Sequence, residues 1–103
     1  MEKHTAHYPL ATLQALIQQL GATAFTYAAA QGGYAMGLDK PEMLAVIAGL
    51  RPKNLYKSMT TYDDHAIWQD VYHAKVVVQG KTKMAYIKLT LRNGKPIVQF
   101  KEK

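Results

Sequence analysis

The segment Ala85-Tyr86-Ile87-Lys88-Leu89-Thr90-Leu91-Arg92, followed by Asn93-Gly94, decides the fold class of this chain. Apolar and polar residues alternate strictly along it, which is the period of a β-strand with one buried and one solvated face. The predicted core face holds Ile87, Leu89 and Leu91, and the predicted solvated face holds Tyr86, Lys88, Thr90 and Arg92. Asn93-Gly94 is a two-residue hairpin signal, so we expect an antiparallel partner strand over Ile97 to Lys101.

A second hairpin is predicted on the other side of this strand. Gln79-Gly80-Lys81-Thr82 is a turn sequence that follows an apolar, β-branched run ending at Val78. From Leu55 onward the chain is rich in β-branched and aromatic residues broken by such turns. This half of the chain is therefore predicted to form an antiparallel meander of about four strands.

Helices are predicted in the first half of the chain. Apolar residues recur at helical spacing from Leu10 to Leu20, after Pro9, and Gly21 is a stop signal. Asp39-Lys40-Pro41-Glu42 has the form of a capping box that starts another helix, ended by Gly49 and Pro52. Between these helices, residues 22–27 predict a short extended segment and residues 28–36 a weak helix interrupted by two glycines.

Helices followed by strands predict an α+β fold, with the N-terminal helices packed on one face of a small antiparallel sheet. A length of 103 residues suits a single domain over residues 1–103. The 49% hydrophobic and 19% charged content is typical of a globular chain.

Composition excludes several classes of protein. The chain has no cysteine, so neither disulfides nor thiolate metal sites are available. The N-terminus lacks an apolar signal core, and the longest apolar run, Met43 to Leu50, is too short to span a bilayer. We therefore expect a cytoplasmic protein that does not act at a membrane.

Positive charge is concentrated in the second half of the chain. Residues 1–50 carry two basic and three acidic residues, a net charge of −1, whereas residues 51–103 carry 11 basic and four acidic residues, a net charge of +7. A basic half with interleaved aromatic residues is typical of a nucleic-acid-binding protein. The alternative is a lysine-rich sheet face that is merely solvated.

The stretch from Leu55 to His73 holds an unusual density of polar and aromatic side chains. Its histidines lack the cysteines, carboxylates or HExxH spacing of a metal site, so none is expected. His4 and His7 belong to an N-terminal tail that we expect to be mobile. Ser58 is the only serine, but no Gly-x-Ser-x-Gly elbow surrounds it, and it is predicted to fill a strand position or to contact phosphate.

A larger set of side chains in the second half combines cations, hydrogen-bonding groups and aromatic rings. It consists of Lys57, Gln69, Tyr86, Lys88 and Arg92 with Tyr56, Tyr62, Trp68 and Tyr72. If strands adjacent in sequence pair, these residues converge on one sheet face equipped to bind single-stranded RNA. Two points stay open: Trp68 and Tyr72 are equally suited to a core, and Gln69 shares its strand parity with the apolar Ile67 and Val71. A bulge or a partly buried site would explain that parity.

RNA cleavage needs neither a metal nor a covalent nucleophile, because the ribose 2′-hydroxyl is itself the nucleophile beside the scissile phosphate. The protein must supply a base, an acid and positive charge, which Lys, Tyr and Arg can do. Neighbouring cations would lower the pKa of a Lys or Tyr among them.

The central stretch resembles the signature of the MqsR family of toxin-antitoxin toxins. The resemblance rests on Tyr56-Lys57-Ser58-Met59-Thr60-Thr61-Tyr62, Asp64-His65 and Ile67-Trp68-Gln69-Asp70-Val71-Tyr72. It extends to Met1-Glu2-Lys3-x-Thr5-x-His7, Gly37-Leu38-Asp39, Val46-Ile47, Gly49-Leu50, Tyr86-x-Lys88-x-Thr90 and Phe100-Lys101-Glu102-Lys103.

This resemblance implies a RelE-like fold and a metal-independent endoribonuclease that cuts single-stranded mRNA at short GC-containing sequences and arrests translation. It also implies neutralisation by an MqsA-type antitoxin protein. The family's functional lysine, glutamine and tyrosine fall on Lys57, Gln69 and Tyr86, which become the expected catalytic residues. The expected substrate-binding residues are Tyr56, Met59, Lys88, Arg92 and Lys101, with no cofactor and no metal. The alternatives are a non-catalytic basic RNA- or DNA-binding module and a domain that only binds a partner protein.

Overall fold

The structure, a computed structural model, describes all residues from Met1 to Lys103. The helices are α1 (Leu10–Leu20), α2 (Tyr27–Ala35) and α3 (Lys40–Ala48), and the strands are β1 (Glu2–Lys3), β2 (Leu55–Thr60), β3 (Trp68–Val78), β4 (Lys81–Arg92) and β5 (Lys95–Glu102). Short 3₁₀ turns lie at Gly21–Ala24 and Pro52–Asn54. None of the helices combines the length and the apolar character needed to cross a membrane.

The five strands form one antiparallel sheet in the order β1-β2-β3-β4-β5. Both predicted hairpins are confirmed: Gln79-Gly80 joins β3 to β4 and Asn93-Gly94 joins β4 to β5. All four of these turn residues have a positive φ, between 52° and 77°, as expected for the turn that matches the strand twist.

The α+β prediction is confirmed, since the helices cover one face of the sheet and bury the core against it. On β4, Ile87 and Leu89 are fully buried in that core, as the alternation predicts. Across from them, β3 contributes Tyr72 and β5 contributes Phe100. Thr90 differs from the prediction, because it lies on the opposite face and is nevertheless only 4% exposed.

The three predicted helices are confirmed. The capping box of α3 is complete, because Glu42 N donates to the Asp39 carboxylate at 2.8 Å and Asp39 N donates to the Glu42 carboxylate at 3.0 Å. The extended segment predicted over residues 22–27 is wrong: Gly21–Ala24 forms a 3₁₀ turn, and only Phe25 makes a bridge, to Val98. The turn itself is made of Gly21, Ala22, Thr23 and Ala24, of which only the threonine is a residue that favours strands.

The N-terminal segment is not the mobile tail that the sequence predicted. Glu2 and Lys3 form strand β1 on β2, and the amides of His7 and Tyr8 donate to the carboxylate of Asp70 at 2.9 to 3.0 Å. Asp70 is fully buried and also accepts a 2.6 Å bond from Ser58 Oγ. This buried carboxylate therefore anchors the N-terminal segment across β2, and Ser58 serves that anchor instead of contacting phosphate.

Helix α2 packs against β5 at a point where only glycine fits. A Cβ on Gly32 would lie 1.8 Å from the carbonyl oxygen of Phe100, which is backbone and cannot rotate away. We expect Gly32→Ala to lower the free energy of unfolding by about 1–3 kcal/mol, because the helix must move off the strand. Urea denaturation measures the change. Gly49→Ala is the matched control, since its Cβ would meet no atom closer than 3.5 Å; an equal loss in both variants would contradict the close approach.

Candidate active site

The face of the sheet opposite the helices carries most of the residues singled out from the sequence, and we call it the open face. Its central row crosses four strands, since Lys57 pairs with Val71, Val71 with Lys88, and Lys88 with Gln99. The next row consists of His73, Tyr86 and Lys101. Sheet register therefore brings Lys57 and Tyr86, which are 29 positions apart in the chain, onto neighbouring rows.

Val71 forms the floor of this face. It points away from the helices, yet it is fully buried, because it lies between Lys57 and Lys88 across the sheet and between Gln69 and His73 along β3. This explains why the polar Gln69 and the apolar Val71 share one face of the strand: the longer side chains around Val71 cover it. The partly buried site considered from the sequence is therefore found, and β3 needs no bulge.

Lys57 is held by an ion pair with the N-terminal strand. Its Nζ lies 2.6 Å from Glu2 Oε1, and the lysine side chain is 20% exposed. The hydrogen bond to Glu2 raises the pKa of Lys57, and the same bond lowers the pKa of Glu2. Lys57 therefore stays protonated. A cluster of cations predicts the opposite, namely a lowered pKa for this lysine.

Three aromatic rings lie beside Lys57. The Tyr56 and His73 rings are stacked, with centroids 4.6 Å apart and an interplanar angle of 19°, and the His73 and Tyr86 centroids are 5.8 Å apart. Tyr56 reaches this position because the register of β2 shifts between Leu55 and Lys57. The open face thus has an aromatic surface on which nucleobases can stack.

Lysines surround the Tyr86 ring. Lys101 Nζ lies 5.2 Å and Lys88 Nζ 5.9 Å from its centroid, within the range of a cation–π interaction. Burial, assisted by the charge of Lys101, lowers the pKa of Lys88. A lowered lysine pKa is therefore found at Lys88, where burial is the main cause and Lys101 adds to it, and not at Lys57.

Gln69 and Met59 are cross-strand partners at the other end of the open face. They line a depression of about 560 Å³ that Lys88 and Gln99 also border. The loop after β2 forms its rim with Tyr62, which is 97% exposed. An amide, a thioether and a cation thus border one concave, open surface.

Several predicted site residues lie elsewhere. Trp68 and Tyr72 are on the helix-covered face: the Trp68 ring stacks on His7 beneath Lys3 Nζ, and burial together with Asp70 raises the pKa of Tyr72 to about 12. Of the two alternatives that the sequence left open for these residues, the structural position is found and not the open face, because even-numbered residues of β3 point to the other side of the sheet. Arg92 shares the open face but lies at the β4–β5 hairpin, near Gln69 and away from Tyr86.

No group of three or more histidine, cysteine, aspartate or glutamate side chains is close enough together to hold a metal ion.

Comparison with known proteins adds the decisive observation. Residues 5–102 match the family described as "Motility quorum-sensing regulator, toxin of MqsA". The chain belongs to this toxin family. It is also 43% identical over 103 residues to the mRNA interferase toxin MqsR of Escherichia coli (strain K12), with full coverage of both chains. The resemblance read from the sequence is confirmed.

Two residues of the open face were missed in the sequence. His73 was set aside with the other histidines, although it shares the parity of Gln69 and Val71, which was the available signal. Glu2 gave no signal, because its pairing with Lys57 depends on a contact between residues 55 positions apart.

Proposed function

We propose that the protein is a toxin that cleaves messenger RNA and thereby stops translation. The observation that carries the proposal is the joint position of Lys57, Gln69 and Tyr86 on one open, basic and aromatic sheet face. Membership of the toxin family and the name of the E. coli relative, an mRNA interferase, support the same reaction.

In the proposed reaction the ribose 2′-oxygen attacks the adjacent phosphorus, and the bond from phosphorus to the 5′-oxygen breaks. The products are a 2′,3′-cyclic phosphate and a 5′-hydroxyl end. Because the nucleophile belongs to the RNA, proton transfer and charge stabilisation by side chains suffice, and the reaction is proposed to need no metal.

Each catalytic residue has a role that fits its surroundings. Lys57, whose pKa is raised, holds the negative charge of the phosphate. Tyr86 transfers a proton, and Gln69 orients the scissile group from the neighbouring depression. Substrate binding is assigned to Tyr56, Met59, Lys88, Arg92 and Lys101, all on the open face.

The proposed substrate is single-stranded mRNA with short GC-containing sites. The aromatic surface of Tyr56 and His73 supports this choice, since stacking needs unpaired bases. The proposed protein partner is an MqsA-type antitoxin, in line with the family description.

The test is incubation of the purified protein with a long messenger RNA in EDTA, followed by mapping of the ends. Cleavage that leaves cyclic phosphates and is abolished by a 2′-deoxy substitution at the scissile ribose is the expected result. RNA that is bound but never cut would instead support the non-catalytic binding module and overturn the proposal.

The ion pair between Glu2 and Lys57 leads to a further prediction. A phosphate must replace the Glu2 carboxylate on Lys57 Nζ, so Glu2→Gln is expected to tighten RNA binding a few-fold, as is usual for the loss of one exposed charge pair. Fluorescence anisotropy with a short 2′-deoxy analogue measures the Kd. Glu102→Gln makes the same change in net charge away from Lys57, and an equal gain in both variants would show that only net charge matters.

A further inference from the structure

His73 lies in the middle of the open face and is in contact with two proposed site residues. Its ring stacks on Tyr56 at 4.6 Å and lies 5.8 Å from the ring of Tyr86, its partner across the β3–β4 register. Along β3, His73 is the next residue after Val71 on the open face. It therefore borders the row of residues that contains Lys57. A group in this position is within reach of anything bound between Lys57 and Tyr86.

The backbone and the side chain of His73 have different roles. The carbonyl oxygen accepts a 3.2 Å hydrogen bond from Asn54 Nδ2, which fixes the strand. The imidazole is oriented by the faces of its aromatic neighbours and makes no hydrogen bond within the chain. Its ring nitrogens are therefore available to a substrate. In a histidine with a purely structural role, these nitrogens would form hydrogen bonds to other groups of the protein.

We propose that His73 is the catalytic base that removes the proton from the ribose 2′-hydroxyl. The inference deepens the proposed function and rests on it. It assigns a role to a residue whose neighbours, Lys57 and Tyr86, supply the charge and the second proton transfer.

The two groups of the ion pair beside His73 are poor proton acceptors. Lys57 is protonated and its pKa is raised by Glu2. Glu2 is a weak base, since the pairing with Lys57 lowers the pKa of its carboxyl group. Imidazole is the side chain whose ordinary pKa best matches proton transfer near neutral pH.

The surroundings of His73 favour its neutral form. Burial, followed by the charge of Lys103, lowers the pKa of the imidazole below its usual value of 6.5. The charged and titratable groups around it, from every packed element, are Tyr56 and Lys57 of β2, Lys75 of β3, Tyr86 and Lys88 of β4, Lys101 of β5, Lys103, and Arg51 and Lys53 across the adjoining groove. No carboxylate among them pairs with the imidazole, so the base is unprotonated at pH 7.

His73 and Tyr86 together account for both proton transfers of the cleavage step. The 2′-hydroxyl proton passes to a ring nitrogen of His73 while the 2′-oxygen bonds to phosphorus. As the bond from phosphorus to the 5′-oxygen breaks, the Tyr86 hydroxyl gives its proton to that oxygen. His73 leaves the step as imidazolium and Tyr86 as phenolate, and exchange with water restores both.

A pH–rate profile tests the assignment. The kcat/KM of the wild-type protein is expected to fall tenfold per pH unit below the pKa of His73, because the protonated imidazole cannot accept a proton. His73→Gln and His73→Phe are expected to lose about 10²- to 10⁴-fold of kcat/KM and the acid limb with it. His73→Phe keeps a flat ring on Tyr56, so it preserves the stack. His4→Gln, on an exposed residue outside the site, is expected to match the wild type.

A substrate with a sulfur atom in place of the 5′-oxygen distinguishes the catalytic base from the catalytic acid. Thiolate leaves without protonation, so the defect of Tyr86→Phe is expected to shrink while the defect of the His73 variants persists. A defect that shrinks equally in both, or His73 variants that keep the wild-type acid limb and rate, would overturn the assignment. If the His73 assignment fails but the wild-type protein still cleaves the all-oxygen RNA in the same assay, the proposed function stands. If the wild-type protein cleaves nothing, the proposed function and the His73 assignment are both overturned.

Discussion

Cleavage of RNA by the Lys57→Ala variant is expected to be about 10²- to 10⁴-fold slower than by the wild-type protein. The substitution removes a cation that lies 5.3 Å from the centroid of the Tyr56 ring. It also leaves the Glu2 carboxylate, formerly 2.6 Å from Nζ, facing an incoming phosphate. Single-turnover cleavage of a short RNA at saturating protein measures the effect on the chemical step.

Lys95→Ala is the matched control for this variant, because Lys95 is an exposed lysine at the β4–β5 hairpin and its loss changes net charge equally. Its rate is expected to stay within threefold of the wild type. The role of Lys57 in catalysis is contradicted if saturating protein restores the full rate, because the lysine then contributes only to affinity.

The second large effect is expected on stability. Asp70→Ala removes a fully buried carboxylate that accepts hydrogen bonds from the amides of His7 and Tyr8 and from Ser58 Oγ. A loss of about 2–4 kcal/mol in the free energy of unfolding is expected, since three donors lose a charged acceptor. Urea denaturation measures the loss, and hydrogen exchange at His7 and Tyr8 shows whether the N-terminal segment detaches.

Two further variants serve as comparisons for the Asp70→Ala measurement. Ser58→Ala removes one donor and keeps the carboxylate, so a loss of only about 1 kcal/mol is expected. Asp63→Asn alters an exposed carboxylate in the loop after β2 and is expected to change stability by less than about 0.5 kcal/mol. Slow amide exchange at His7 in the Asp70→Ala protein would refute the anchoring role.

The elements that the sequence predicted well depend on local interactions. The Asn93-Gly94 and Gln79-Gly80 hairpins follow from backbone conformations that few residues adopt, and the capping box of α3 spans only four residues. The alternation of β4 was unambiguous because one face is a core and the other carries lysines. Such signals lie within a few residues of the structure that they predict.

The sequence predicted β3 less well, because that strand has apolar residues on both faces. Val71 and Tyr72 are both buried, one beneath lysine side chains on the open face and one against the helices. Alternation therefore could not separate Gln69 and His73 from Trp68 and Tyr72, and the aromatic residues of the two faces were combined into one site.

By itself, the sequence determined the fold class, the family and the residue types of the proposed reaction, since motifs and local periodicity record these directly. The tertiary structure alone decided which side chains share the open face with Lys57 and Tyr86. It added His73 through the β3–β4 register and Glu2 through a strand anchored on Asp70, 62 or 63 positions from its partner amides. The physical reason is that a buried carboxylate and a sheet register act between segments far apart in the chain, where no local pattern indicates the contact.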